Sequence, residues 1–252
     1  MNKDEPQTMN VQEEFYERIH LNAYKLSKKE TAIRQKLVLS LIESIEQKTN
    51  EIHILDIGFN NTRFPSLLKK NFPNAHIKLV DVDNNRVDLA KKDGFDAFQC
   101  DVSNNKLPFT DNYFDLIHAA EIIEHVFDTD HLLTEIKRVL KPRGTFILTT
   151  PNLAAWYNRI LFPLFGIQPF HTEVSLYSYY GRKPFKEAGG NPVGHIHVFT
   201  TKAINEMLNL NGFKVLNIKG YPHPLIETNI IEKFFSHFPS FSTGIIVIST
   251  IL

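Results

Sequence analysis

Between His53 and Thr150 the chain repeats one arrangement: a short apolar run that closes on a carboxylate. His53-Ile54-Leu55-Asp56-Ile57-Gly58 ends in an acid and a glycine, and Ile77-Lys78-Leu79-Val80-Asp81 ends in another acid. A third run closes at Cys100-Asp101, and Phe114-Asp115-Leu116-Ile117-His118-Ala119-Ala120 leads into Glu121. Helix-length segments separate these runs. Strands that alternate with helices over short links imply a parallel sheet with right-handed crossovers. Open sheets of that kind bind ligands in the crevice at the carboxyl ends of their strands, which is where these four acids stand.

The boundaries follow from periodicity and punctuation. Strands are expected at 53–57, 77–81, 97–100, 114–119 and Phe146–Thr150, and helices at 64–71, 85–92 and 128–140. Gly94 reads as the residue after a helix end, and Pro142 with Gly144 stops the third helix. Asp83 reads as a helix N-cap. Residues 11–48 carry a helical stripe through Leu37, Leu41 and Ile45, with Val38 and Ile42 beside it. Residues 1–10 read as disordered. After Pro151 the rhythm breaks, and 151–198 is rich in proline and glycine without a clean period. A helix at Thr200–Asn211, capped by Thr200 or Thr201 and ended by Gly212, leads to a sixth strand at Phe213–Lys219. A helical segment at 226–238 and a seventh strand at Gly244–Leu252 complete the chain. The expected division is an N-terminal helical segment at 1–48 and one domain at 49–252, with 151–198 as an insert.

Composition bounds the function class. Lys plus Arg equals Asp plus Glu at 28 each, so the basic excess usual in nucleic-acid binders is missing, and no strong nucleic-acid signature is read. A single cysteine, Cys100, excludes an internal disulfide and fits a reducing compartment. The N-terminus lacks the basic start and apolar core of a signal peptide, and no run reaches the ~18 apolar residues of a membrane span. A cytoplasmic, soluble protein is expected.

Several segments in order carry a family resemblance: the strand-one loop, Asp81, Asp101, Leu107-Pro108-Phe109, Asp111 to Leu116, Leu140-Lys141-Pro142-Arg143-Gly144 and Asn211-Gly212-Phe213. Over about residues 53–150 the chain resembles the class I S-adenosylmethionine-dependent methyltransferases. The resemblance implies a Rossmann-like α/β three-layer sandwich whose seven-stranded, mostly parallel sheet has an antiparallel last strand. It implies S-adenosyl-L-methionine as cofactor and S-adenosyl-L-homocysteine as product. The family loop reads acid-x-Gly-x-Gly-x-Gly; here it is Asp56-Ile57-Gly58-Phe59-Asn60-Asn61-Thr62, with one glycine kept. Asn60 is a tolerable substitute because Asn reaches the left-handed region more easily than most residues, whereas Thr62 departs from the pattern. Asp81 stands about 20 residues from the loop, where a carboxylate accepts ribose hydroxyls. By the same resemblance Asp101 meets the adenine amino group, and Val102 packs on the ring. The cofactor-binding set is therefore Asp56, Gly58, Asn60, Asp81, Val82, Asp101, Val102 and Glu121. NAD-binding folds share the first half of the pattern but need a tighter glycine turn against a pyrophosphate.

Glu121-Ile122-Ile123-Glu124-His125 follows strand four. If helical, Glu121, Glu124 and His125 share a face, and no Lys or Arg follows before Lys137. One reading is that acids simply favour a helix N-terminus. The other is functional. Some methyltransferases of this fold, including small-RNA 3′-end and quinone-precursor enzymes, bind a divalent cation through Glu-x-x-Glu-His and a downstream histidine. His195 and His197 in Gly194-His195-Ile196-His197 are the downstream candidates here. The catalytic set is Glu124, His125, His195 and His197, acting through a general base in preference to a metal, and no metal ligand is assigned.

The insert concentrates aromatics: nine stand in 156–185, including the only tryptophan, Trp156. One reading is a substrate lid, and the other is a satellite core under a long loop. Its apolar tip at 160–165 suits peripheral contact with a membrane or partner. The expected activity is methyl transfer to an oxygen, and after that nitrogen or carbon, of a small molecule or glycan. The alternatives are a non-catalytic, methyltransferase-like binding protein with an eroded cofactor loop, and a divalent-metal-assisted RNA or quinone-precursor O-methyltransferase.

Overall fold

A computed structural model describes residues 30–45, 51–183, 192–222 and 230–251. Its elements, in chain order, begin with α1 (Glu30–Ile45), β1 (His53–Ile57), α2 (Arg63–Asn71), β2 (His76–Asp81), α3 (Asn84–Lys92), β3 (Asp96–Gln99) and β4 (Phe114–Ala120). A 3-10 turn at Ile123–His125 is followed by α4 (Thr129–Val139), β5 (Leu140–Pro151), α5 (Trp156–Phe165), α6 (Thr201–Leu210), β6 (Lys214–Tyr221), α7 (Ile230–Ser236) and β7 (Gly244–Thr250). The sheet order is β3-β2-β1-β4-β5-β7-β6, and β7 runs antiparallel to both neighbours. The seven-stranded, mostly parallel sandwich expected from the resemblance is therefore the fold. Chain order reverses between β1 and β4, which opens the crevice at the ends of those strands.

The sheet is covered on both faces, so its central strands read as nearly continuous apolar runs. Leu132, Leu133 and Ile136 of α4 and Ile204 and Leu208 of α6 fill one layer. Val38, Leu41 and Ile42 of α1, with Phe64 and Leu68 of α2, fill the other. The buried face of α1 thus centres on Val38 and Ile42, while Ile45 is exposed. Gly94 and Gly212 end their helices at φ +87° and +86°, a conformation costly for other residues. Asp83 caps α3 by accepting from the Asn85 amide, and Thr200 caps α6 by accepting from Ala203.

Three expectations need correction. β5 starts at Leu140 rather than Phe146, because Leu140 pairs with Phe114 and the pairing resumes at Thr145 with Leu116, so that residues 141–144, with Pro142, form an irregularity of β5 opposite Asp115. The insert contains a helix, α5, despite Pro163. Its first turn hangs on the Ala155-Trp156 corner, and Gly166 closes it at φ +62°. The third is the segment after β4, which is a single 3-10 turn rather than an α-helix. Glu121 sits before it at φ +53°, so Glu121 and Glu124 do not share a helical face. Residues 1–29 and 223–229 lie outside the described residues, with them most of the expected 11–48 helix and the start of the 226–238 helix. No helix among the described residues is long and apolar enough to cross a membrane.

The Leu107-Pro108-Phe109 turn is held by α4. Glu135, 7% exposed, accepts from the Leu107 amide at 2.7 Å and from Arg138 at 2.6 and 2.9 Å. Arg138 also donates to the Leu107 and Phe109 carbonyls. Burial opposes the Glu135 charge, but the hydrogen bonds from Arg138 and Leu107 outweigh it and hold its carboxyl below the usual range. Arg138→Met should therefore cost about 3 kcal/mol of stability at neutral pH, since it strands a buried carboxylate. A carboxyl whose folded pKa is depressed stabilises above its unfolded pKa and loses that contribution as pH falls through the folded value. The gap between Arg138→Met and the parent in urea midpoints should accordingly narrow in acid. A gap that stays constant down to pH 3 would show that Glu135 is not its source.

Candidate active site

β1 and β2 bring the cofactor-loop candidates to the crevice. Gly58 has φ +73°, and a Cβ there would meet Ile122 Cδ1 at 2.9 Å. The one retained glycine is thus required twice, for its backbone and for the close approach of Ile122. Asn60 is exposed at the loop tip. Thr62, where the loop departs most from the family pattern, donates its hydroxyl to Asp93, and α2 starts right after it. Asp81 is buried at the end of β2. Its Oδ1 accepts from the Asp83 amide at 2.9 Å and its Oδ2 meets Arg86 only at 3.5 Å. A carboxylate has about four lone-pair sites, so acceptor capacity remains for a diol. Burial is the main cause that pushes the Asp81 carboxyl up to about 6, against the pull of Arg86. Val82 is half-buried behind it.

Asp101 accepts from the Ser103 amide at 2.9 Å and from Asn104 at 3.1 Å, which shapes the turn after β3. Val102 is buried within that turn. Asp56 points into the core. Its Oδ1 pairs with His118 Nδ1 of β4 at 2.7 Å, and both residues are 4% exposed. The pair cross-links β1 and β4 beneath the crevice and leaves His118 Nε2 buried without a partner.

Glu121 is compensated from a distance. Arg34 of α1 meets its Oε2 at 3.2 Å, while Tyr221 at the end of β6 and Thr149 of β5 donate to its Oε1 at 2.8 and 2.9 Å. The absence of a nearby base in the local sequence is resolved by a cation 87 positions upstream, as counted from the numbering. Arg34, Thr149, Thr150 and Tyr221 were not among the residues expected from sequence. No spacing links them; the sheet order brings Thr149, Thr150 and Tyr221 together, and the packing of α1 adds Arg34.

Glu124, His125 and His195 converge, with one ligand atom from each lying within 4.8 Å of the others. Glu124 is 1% exposed. Its Oε2 accepts from Thr150 at 3.0 Å, and its Oε1 is buried without a hydrogen-bond partner. The Glu124 carbonyl receives the amides of Ile196 and His197, which pins the 194–197 segment against the turn after β4. His125 Nδ1 lies 3.0 Å from the Gly194 carbonyl, and His195 Nδ1 lies 3.1 Å from the His171 carbonyl. A carbonyl can only accept, so Nδ1 carries the proton in each ring. Burial lowers the pKa of His125. Burial first, then the neighbouring His125 and His171, lowers that of His195 well below its ordinary value. Burial thus disfavours the charged form of both rings, and with Nδ1 protonated the neutral form of each carries its lone pair on Nε2; His195 Nε2 lies 4.0 Å from Glu124 Oε1. Burial, and next the charge of Glu121, raises the Glu124 carboxyl well above its usual range. His197 stands apart from this cluster, with its Nε2 3.4 Å from the Phe127 carbonyl.

The sequence matches, over residues 29–218, a family described as a methyltransferase domain. The chain belongs to that family. S-adenosylmethionine is the cofactor the family implies, and the positive-φ Gly58 with the buried, under-used Asp81 fits it. A ubiquinone/menaquinone biosynthesis C-methyltransferase, UbiE, of Desulfotalea psychrophila is 32% identical over 126 residues, 45% of this chain and 50% of that protein. The probable methyltransferase PMT28 of Arabidopsis thaliana is 32% identical over 117 residues, 46% of this chain and 16% of that protein. The chain thus spans half or less of the length of these relatives. Among solved structures, a SAM-dependent methyltransferase of Methanosarcina mazei superposes with TM-score 0.58 at 18% identity, covering 84% of this chain and 97% of that one. A Haloferax volcanii putative methyltransferase, solved with the Trm112 activator, gives TM-score 0.59 at 13% identity over 92% and 96%. At these identities the superpositions establish the fold.

The Asp81 carboxyl yields a paired expectation. The folded state holds its proton more tightly than the unfolded chain, so this group favours folding least above about pH 6, and folding gains as pH falls from there towards the unfolded value near 3.8. Asp81→Asn should raise the stability of the free protein at pH 7 by about 1–3 kcal/mol. It should weaken cofactor binding by a similar amount, the range for losing hydrogen bonds to a charged group. Thermal unfolding and calorimetry with S-adenosylmethionine at pH 7 measure both. A variant that loses stability and keeps full affinity would remove Asp81 from the cofactor site.

Proposed function

We propose that this chain transfers a methyl group from S-adenosylmethionine to an oxygen of a small molecule or glycan, with Glu124, His125 and His195 on the acceptor side. The observation that carries the reading is the pair of imidazoles, each fixed at Nδ1 by a backbone carbonyl, that converge with Glu124, whose Oε1 has no hydrogen-bond partner. The cofactor, when bound, supplies an electrophilic methyl on a sulfonium. The chain's own work is to orient, exclude water and move one proton. An acceptor hydroxyl placed at the cluster would give its proton to Nε2 of His125 or His195, which would leave its oxygen free to take the methyl group that the bound cofactor would supply. Positioning supplies much of the remaining rate. Asp81, Val82, Asp101 and Val102 hold the nucleoside end in this reading, with Gly58 and Asn60 beside the methionyl part. Asp56 and Glu121 act through the network around the crevice. Residues 151–198 serve as the lid of the domain at 49–252, with 1–48 as the preceding helical segment. The name of the UbiE relative brings carbon acceptors into the same test, because product analysis separates O-methyl from C-methyl.

A second reading has its own support. Two imidazoles with Nδ1–H bound to carbonyls and Nε2 open, beside a carboxyl oxygen with no partner, also make the donor set of a divalent cation, with the carbonyls fixing the ring tautomers. A cation there would keep Glu124 ionised and hold an acceptor oxygen directly.

His125→Ala and His195→Ala should each lower turnover by about 10²–10⁴-fold. Cofactor affinity should stay within twofold of the parent, and His197→Ala should change neither. Since the working rings are neutral and burial depresses their pKa, turnover should fall as pH drops, with its midpoint below the usual imidazole value. Insensitivity to chelator assigns the base; loss in chelator with recovery on a divalent ion assigns the cation. Unchanged turnover in both histidine variants would remove the cluster from the reaction. Absence of cofactor binding at millimolar concentration would return the chain to the non-catalytic class.

A further inference from the structure

The connection after β5 and the connection between β6 and β7 are far apart in sequence but form one cap at the carboxyl edge of the sheet. Its interior is an aromatic chain. Phe234 lies 5.4 Å from Phe235, Phe235 stacks on Trp156 at 5.3 Å and 12°, and Trp156 meets Tyr157 at 5.6 Å. Tyr157 continues to Phe170, over which the Arg182 guanidinium sits at 5.4 Å. The outside of the cap stays apolar. Phe162 (55% exposed), Leu164 (70%) and Phe165 (66%) project from α5, Tyr180 (53%) lies beside Phe165, and Ile230 (82%) and Phe234 (58%) project from α7.

Charge decides what covers this face. The cap's two described acids are turned inward. Glu232 is 1% exposed and holds Trp156 Nε1 and the Thr243 hydroxyl. Glu173 accepts from the Val193 and Gly194 amides. The exposed charged side chains among the described residues of α5, 166–183 and α7 are Arg159, Lys183 and Lys233, all cationic. Arg159 is held by the Ala154 and Ser240 carbonyls; exposed aromatics and leucine beside Lys183 and Lys233, with both described acids turned inward, fit the boundary between acyl chains and anionic headgroups. A protein partner of ordinary mixed charge would leave the cations unmatched.

We propose that this cap is a docking surface for an anionic lipid bilayer, with α5 and α7 seated at the headgroup–acyl boundary. The surface does not depend on the methyl acceptor, so it is tested on the free protein. Vesicles of phosphatidylcholine alone are compared with vesicles of phosphatidylcholine and phosphatidylglycerol in equal parts, by co-sedimentation at low and at physiological salt. The full chain should bind the mixed vesicles more tightly than the neutral ones, and binding should weaken with salt. Leu164→Glu/Phe234→Glu and Lys183→Glu/Lys233→Glu should each lower the association constant at least about tenfold. Both pairs alter exposed side chains, and unchanged thermal midpoints certify that they fold. No binding to mixed vesicles, or binding equal for the parent and both folded variants, overturns the proposal. Self-association that Leu164→Glu abolishes, without vesicle binding, would assign the face to a second copy of this chain.

Discussion

The full burial of Glu124 organises its cluster with His125 and His195. Its side chain is tied to Thr150 at the end of β5, and its carbonyl to the amides of Ile196 and His197. One residue therefore joins the turn after β4, the end of β5 and the point where the insert returns. A polar group taken out of water must find partners or carry a large cost. The Glu124 carbonyl is satisfied; one carboxyl oxygen is not. That imbalance, with two imidazoles fixed beside it, is the feature on which the proposed acceptor site rests. Structural carboxylates elsewhere in the fold look different. Glu135 and Glu232 sit among donors from their own chain.

What sequence made legible follows from the range of each interaction. Strand ends and helix caps rest on contacts within a few residues, so β1, β4, the Asp83 and Thr200 caps and the glycine closures at Gly94 and Gly212 could be read directly. The convergence of Glu124, His125 and His195 was partly readable, since both segments carried chemistry that their positions did not otherwise need. The choice between His195 and His197 was not, because adjacent alternation in an irregular segment gives no sidedness. Two features were out of reach for physical reasons. Arg34 compensates Glu121 across the crevice, and a charge pair spanning the whole first half of the fold leaves no local signature. The bulge that lets β5 run through Pro142 depends on its partner strand, while sequence shows only the proline.

The same distinction explains the aromatic insert. The sequence of the insert admits a lid or a satellite core, and its packing has an aromatic interior. It is not a closed satellite, however, because two of its five rings, Phe234 and Phe235, belong to α7, which comes from a distant part of the sequence. A core assembled from two connections is stabilised only when both are in place, whereas the sheet beneath it has its own buried layers. The cap is therefore an accessory layer at the ligand edge, where surfaces can vary without cost to the sheet.

Gly244 opens the last strand, and a side chain there would collide with the Tyr221 ring. Tyr221 lies over that gap and extends its hydroxyl to Glu121, which also holds Arg34. The missing side chain is therefore the passage through which β6 reaches the crevice. Even one methyl group on β7 would close the passage, unseat the tyrosine and loosen the tether between the first helix and the fourth strand. The crevice thus depends on an empty space in a strand that contributes no group to it.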